Sequence, residues 1–170
     1  MKNNAETPPD EVRFIVDHNV GKLARWLRMM GYDTLLFTGG DDSRMVSRAA
    51  REGRVILTRD RGIMQRRLVT SGRLRAMLIS SEEPPQQMRQ VINTLKLDCR
   101  FQPFSRCLEC NHPLAERSPE EVRELVPPYV FKTQSQYMAC PACGRIYWRG
   151  THWEAMTRML NELCDKPDEQ

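Results

Sequence analysis

The sequence predicts an α/β fold: a parallel sheet flanked by helices, followed by a small four-cysteine module that ends in a terminal helix. Three observations carry that prediction. Short apolar runs alternate with amphipathic helical patterns from residue 12 to residue 95, as a parallel sheet with crossover helices requires. Two Cys-x-x-Cys pairs, Cys107/Cys110 and Cys140/Cys143, then stand where long apolar segments stop. Charge divides the same way. Residues 11–100 hold 17 Lys/Arg against 10 Asp/Glu, whereas residues 101–170 hold 8 against 10, within a net +4 for the chain. The expected organisation is a loose leader (1–11), an α/β module (12–100), a metal-binding module with the terminal helix (101–165) and a short tail (166–170).

The elements follow in order. Arg13–Asp17 (RFIVD) reads as a strand. Val20–Met30 carries Val20, Leu23, Ala24, Leu27 and Met30 on one face and so reads as a helix, ended by Gly31. Asp33–Phe37 is a second strand. Asp42–Glu52 spaces Met45, Val46, Ala49 and Ala50 helically and stops at Gly53. Val55–Thr58 is continuously apolar, as a strand covered on both faces should be. A short helix over Ile63–Val69, a strand at Ala76–Ile79 and a helix over Pro85–Leu95 complete the module. Further on, Ser118, Pro119 and Glu121 mark the start of a capped short helix. Thr151–Leu163 places Trp153, Met156, Met159, Leu160 and Leu163 toward a partner surface.

Composition narrows the function classes. Apolar residues make up 40% and charged residues 28% of the 170, which excludes a disordered tail. No apolar run approaches the ~18 residues of a spanning helix, and the polar N-terminus lacks a signal-peptide stretch. A soluble cytoplasmic protein with no membrane partner is expected. Arginine outnumbers lysine 21 to 5, and arginine forks phosphate bidentately. A polyanion is a natural partner for the basic front half.

In such a chain cysteines serve as metal ligands or free thiols more often than as disulfides. Two knuckles facing each other give a tetrahedral S₄ site, which suits zinc and, with no position left for water, makes the metal structural. Gly144 permits the tight turn of the second knuckle. The 29 residues between the pairs exceed the usual ~15–20, and the capped helix accounts for the excess. His112 reads as a surface residue, and Cys99 and Cys164 as small apolar side chains.

The carboxyl ends of parallel strands are where function gathers. Asp17 ends the first strand, Asp60 follows the third, and Asp41 and Asp42 lie at the head of the second helix. If strands one and three lie close, Asp17, Asp42 and Asp60 converge on one crevice. Carboxylates packed together repel, so such a cluster suits a hard cation, Mg²⁺ or Mn²⁺, able to lower the pKa of a water and offset phosphodiester charge. Lys22, Arg25, Arg28 and Arg59 are the expected nucleic-acid contacts, although the three on the helix suit a solvated face equally well. Asp42 also suits a plain helix cap, and Asp60 a turn. His18 reads as a loop residue before a general base.

These stretches together resemble a known family. FIVDHNVGKLARWLRMMGYDT, GGDD and RVILTRDRGI resemble the PIN-like ribonuclease domain of the Mut-seven C-terminal type. RCLECNHPL, VPPYV and CPACGRIYWRGTHWEAM resemble its zinc-ribbon extension. The likeness covers residues 12–163. It implies a PIN-like parallel sheet followed by a zinc ribbon, and an acidic, divalent-metal active site. By resemblance Asp17, Asp42 (with Asp41 as competitor) and Asp60 are the catalytic acids, Asn19 orients a water, and the cysteine tetrad holds zinc. PIN nucleases commonly carry a fourth acid near the end of the next strand. Here that place reads Ser80-Ser81-Glu82-Glu83, one or two positions late. In the YWRGTHW run, Tyr147, Trp148 and Trp153 suit packing of the last helix better than base stacking, and His152 is left unassigned.

The reading is a divalent-metal-dependent ribonuclease acting on RNA, taken as single-stranded, with structural zinc and catalytic Mg or Mn. A non-catalytic nucleic-acid or protein adaptor of the same fold is the rival. A toxin-type PIN nuclease is a narrower variant, disfavoured because such toxins usually lack a zinc ribbon.

Overall fold

The computed structural model describes residues 12–165; the expected leader and tail lie outside the described residues. Four parallel strands form the main sheet: β1 (Phe14–Asp17), β2 (Thr34–Phe37), β3 (Val55–Thr58) and β4 (Ala76–Leu78), in the order β2-β1-β3-β4. Helices α1 (Lys22–Met29), α2 (Asp42–Glu52) and α5 (Pro84–Leu95) connect or follow them, with single-turn helices α3 (Arg61–Met64) and α4 (Arg67–Thr70) between β3 and β4. The one helix expected over 63–69 is thus two, because Arg66 is extended (ψ 139°) and interrupts it. Helix α1 begins two residues later than expected, since His18–Val20 close a 3₁₀ turn after β1.

Alternation along the strands builds a core on each side of the sheet. Phe14, Val16, Val55 and Leu57 join Leu23, Leu27, Met88 and Val91 on one face. Ile15 and Ile56 join Met45, Val46, Ala49 and Ile63 on the other. β1 and β3 are buried along their whole lengths, which is why they read as unbroken apolar runs. Each such side chain contributes about 1.5–3 kcal/mol by leaving water.

A second sheet of three antiparallel strands, β5 (Ala115–Arg117), β6 (Tyr137–Ala139) and β7 (Ile146–Tyr147), forms the rear module. α6 (Pro119–Val122) carries the expected capping box: Ser118 Oγ accepts from the Glu121 N–H, and Glu121 accepts from the Ser118 N–H. α7 (Pro128–Thr133) was not anticipated; Pro128 occupies its first turn, where a missing N–H does no harm. Val122, Val126, Val130 and Tyr137 make a small core there.

The terminal helix α8 (Thr151–Asp165) leaves this module and packs on α5. Leu160 and Leu163 enter the front module's core, as does Leu108 beside the first knuckle, so the core crosses the boundary placed at residue 100. Cys99 and Cys164, expected as unpaired apolar side chains, instead form a disulfide, with Cα atoms 5.9 Å apart. Spacing along the chain carried no trace of this pairing, because 65 residues separate the two. Gly31 shows how closely the modules meet. Its φ is +99°, and a Cβ there would lie 2.4 Å from the Gln102 carbonyl oxygen.

Candidate active site and metal centre

β1 and β3 are neighbours, with Val16 opposite Leu57, so the residues that end them meet at the carboxyl edge of the sheet. Asp17 is only 3% exposed. Its carboxylate accepts from Thr58 Oγ1 at 2.8 Å and Asn19 Nδ2 at 3.2 Å, and His18 Nδ1 lies 2.9 Å away. Asn19 in turn accepts from the Arg59 N–H at 3.2 Å, and Thr58 Oγ1 accepts from the Asp60 N–H at 3.0 Å. One hydrogen-bond network therefore ties Asp17 and Asn19 to the loop that carries Asp60. Asp60 caps α3, accepting from the Gly62 N–H at 2.7 Å.

The α2 cap separates the two competing acids. Asp41 caps the helix, its side chain accepting from the Ser43 N–H at 2.9 Å. Asp42 stands in the first turn with no such duty, and its pKa is raised by partial burial, then by the charges of Asp60 and Asp17, with Arg66 opposing. Asp42 thus lies near enough to Asp60 and Asp17 for their charges to act on it. The three acids do not close to ligating spacing: among the described residues the one group of metal-ligating side chains with donors all within 4.8 Å is the cysteine tetrad. The acid donor set is chemically suited to a hard divalent ion, being all oxygen and carrying repulsion that a cation would relieve.

The expected nucleic-acid contacts divide. Lys22 is exposed on α1. Arg25 pairs with Glu109 at 2.6 Å, and Arg59 with the exposed Glu82 at 3.2 Å. Arg28 departs from the role expected of it. It is 7% exposed and donates to the carbonyls of Thr34, Leu108 and Glu109 at 2.9, 2.9 and 3.1 Å. Its guanidinium clasps the first knuckle to α1 and β2, committed to three carbonyls. Helical spacing placed it beside Lys22 and Arg25, but the docked rear module covers it.

Cys107, Cys110, Cys140 and Cys143 form a compact cluster, with Cys107 and Cys143 Sγ atoms 3.7 Å apart. Zn–S bonds of about 2.3 Å in a tetrahedron give sulfur separations of about 3.8 Å, so the cluster is compatible with structural zinc. The knuckles are built alike. The Asn111 and Gly144 N–H groups bond the Cys107 and Cys140 carbonyls, each at 2.9 Å, with φ of +70° and +76°. Asn111 takes the left-handed position that glycine takes in the second knuckle because its side chain has work there. It accepts from the Thr34 N–H at 2.9 Å and donates to Asp33 at 2.7 Å. Asp33 also pairs with buried Arg54 at 2.8 Å. This clasp lies at the amino end of β2, away from the acids. Burial raises the Cys107 thiol, but hydrogen bonds from Tyr147 and from the backbone of Cys110 and Glu109 outweigh it and bring it down to about 6. The neighbouring Cys110 thiol is pushed the other way, raised by burial and by its contacts with Cys140 and Cys107, so of this pair only Cys107 is biased toward the thiolate a metal needs. Tyr147 is thereby a supporting residue of the tetrad; its position in the YWRGTHW run carried no signal of that. His112 is exposed, as expected.

A scan against family models matches residues 12–160 to the Mut7-C RNAse domain. The chain belongs to that family. Comparisons with curated proteins and with solved structures returned no significant match. A Mut7-C RNAse domain carries a nuclease-type role with RNA as its substrate class. No helix of the described residues is long and apolar enough to cross a membrane.

Proposed function

We propose that this Mut7-C chain is a cytoplasmic, divalent-metal-dependent ribonuclease that hydrolyses phosphodiester bonds of single-stranded RNA. Asp17, Asp42 and Asp60 would hold Mg²⁺ or Mn²⁺, and the four cysteines structural zinc. The observation that carries this reading is the hydrogen-bond network that gathers Asp17, Asn19 and the Asp60 loop at the carboxyl edge of the sheet in a chain of the Mut7-C RNAse family. A divalent ion, when bound, supplies positive charge opposite the phosphodiester and lowers the pKa of water.

The chain's own residues do the rest. Thr58 and Asn19 fix the Asp17 carboxylate by hydrogen bonds at 2.8 and 3.2 Å. Asn19 also anchors the loop after β3 through the Arg59 N–H. The Gly62 N–H holds Asp60 in one orientation. Lys22, Arg25 and Arg59 would position the RNA backbone by charge.

Purified protein with Mn²⁺ and labelled single-stranded RNA tests this. Asp17→Asn and Asp60→Asn should each lower cleavage by more than the roughly 100-fold typical of losing an outer-shell partner, while RNA binding persists. The wider spacing of the acids than of the cysteines favours the second reading, a nucleic-acid adaptor without turnover. Cleavage unchanged in both variants would assign the activity to a contaminant and leave that adaptor reading.

A further inference from the structure

A groove of about 760 Å³ runs between the rear module and α8, lined on its floor and walls by Arg25, Tyr129, Arg145, Trp148, Arg149 and Trp153 among others. Its chemistry is uneven in a telling way. Four arginines line it against two glutamates, Glu109 and Glu116. Two of the arginines have structural partners: Arg25 pairs with Glu109, and Arg106 donates to the carbonyls of Gly31 and Asn111. Arg145 and Arg149 are exposed and make no ion pair among the described residues. The Arg149 guanidinium lies over the Trp153 ring, 5.2 Å from its centre, which fixes this cation at the groove while Phe104 packs against the same ring. Tyr129, the second residue of α7, is 69% exposed, although a tyrosine buries its ring wherever packing allows.

An exposed tyrosine ring beside guanidinium groups free of ion pairs matches single-stranded nucleic acid, whose bases stack while its phosphates take the cations. Charge complementarity selects that occupant over an apolar helix or a second copy of this basic chain. The groove reaches α1 at Arg25, and Lys22 stands one helical turn nearer Asp17, about 4.5 Å back along the axis. The geometry points to a single-strand RNA subsite in this groove. A strand held at the three acids would pass over Lys22 and Arg25, stack a base on Tyr129, and set phosphates against Arg145 and Arg149. The subsite rests on the nuclease reading for its substrate, but its residues are separate from the acids.

The test uses the full zinc-loaded chain carrying Asp60→Asn, without added Mg²⁺ or Mn²⁺, and a fluorescein-labelled oligouridylate read by anisotropy. Tyr129→Ala should weaken binding about 5- to 150-fold, the loss of one stacked base, and Tyr129→Phe should restore it. Arg145→Gln with Arg149→Gln should flatten the log-affinity against log-salt slope by about 1.4, or about 0.7 per lost phosphate contact. Zinc content and melting temperature, unchanged in these variants, report that the fold is intact. Binding equal to the parent in both variants overturns the subsite, and so does a parent that binds no oligouridylate. A Tyr129→Ala chain that binds normally but changes its self-association also overturns it, assigning the groove to a second copy. Cleavage by the unsubstituted chain is scored separately. Groove-dependent binding without any cleavage defeats the nuclease reading alone, and cleavage with groove-independent binding defeats the subsite alone.

Discussion

Replacing Arg28 by methionine removes a buried cation while keeping most of its apolar volume. Three hydrogen bonds disappear, to Thr34, Leu108 and Glu109, and each is worth about 1.5–3 kcal/mol when one partner is charged. Part of that gross loss is returned, because the buried guanidinium no longer has to be desolvated. The neutral carbonyls it served are then short of a donor, at about 1–3 kcal/mol for each left buried and unpaired, so the net loss should be about 2–4 kcal/mol. For a chain of this length that lowers the melting temperature by roughly 10 °C. Zinc retention should fall as well, since Arg28 lies close enough to Cys107 and Cys110 for their charges to act on it. Thermal denaturation of the zinc-loaded protein, with zinc counted after dialysis, measures both. A variant that melts within 2 °C of the parent and keeps its zinc, yet binds RNA less tightly, would refute the clasp and return Arg28 to the nucleic-acid surface.

Other outcomes follow from the same geometry. Asp42 has a raised pKa in the folded chain, so its ionised form opposes folding above that pKa, and the penalty vanishes below the ordinary carboxylate value near 3.9. Asp42→Asn should therefore stabilise the metal-free protein at pH 7 by up to about 1 kcal/mol and abolish stabilisation by Mn²⁺, both read from melting curves; a less stable variant refutes the repulsion. Cys140→Ser should release zinc and unfold the rear module, as structural zinc contributes ~10–16 kcal/mol in small peptides; unchanged metal content and melting would count against the assignment. Cys164→Ser opens a loop spanning 65 residues and should lower stability by up to about 4 kcal/mol on the chain-entropy account. The loss should appear in oxidising buffer and vanish with reductant, and an equal loss in both would locate the effect in packing.

Much of this molecule was legible locally. Strands and helices of the front module follow from period and punctuation, and Ser118 and Glu121 announced their capping box. The tetrad's proximity followed from spacing, and the positions of Asp17 and Asp60 from where β1 and β3 stop. The choice between Asp41 and Asp42 was not legible, because both stand at the head of the helix and only the backbone decides which one folds back onto the Ser43 N–H. α7 was hidden by two prolines that break one segment and begin the next.

What the sequence by itself determined was therefore which residues lie at strand ends, on helix faces and in metal knuckles, since these depend on dihedral preference and hydrophobic period over a few residues. Only the tertiary structure decided that Thr58 holds Asp17 across 41 residues, that Arg28 is a clasp to a carbonyl 80 residues away, and that Cys99 meets Cys164. Those pairings depend on how separate surfaces dock, and docking is set by summed burial and shape across the whole chain, which no short window of residues encodes.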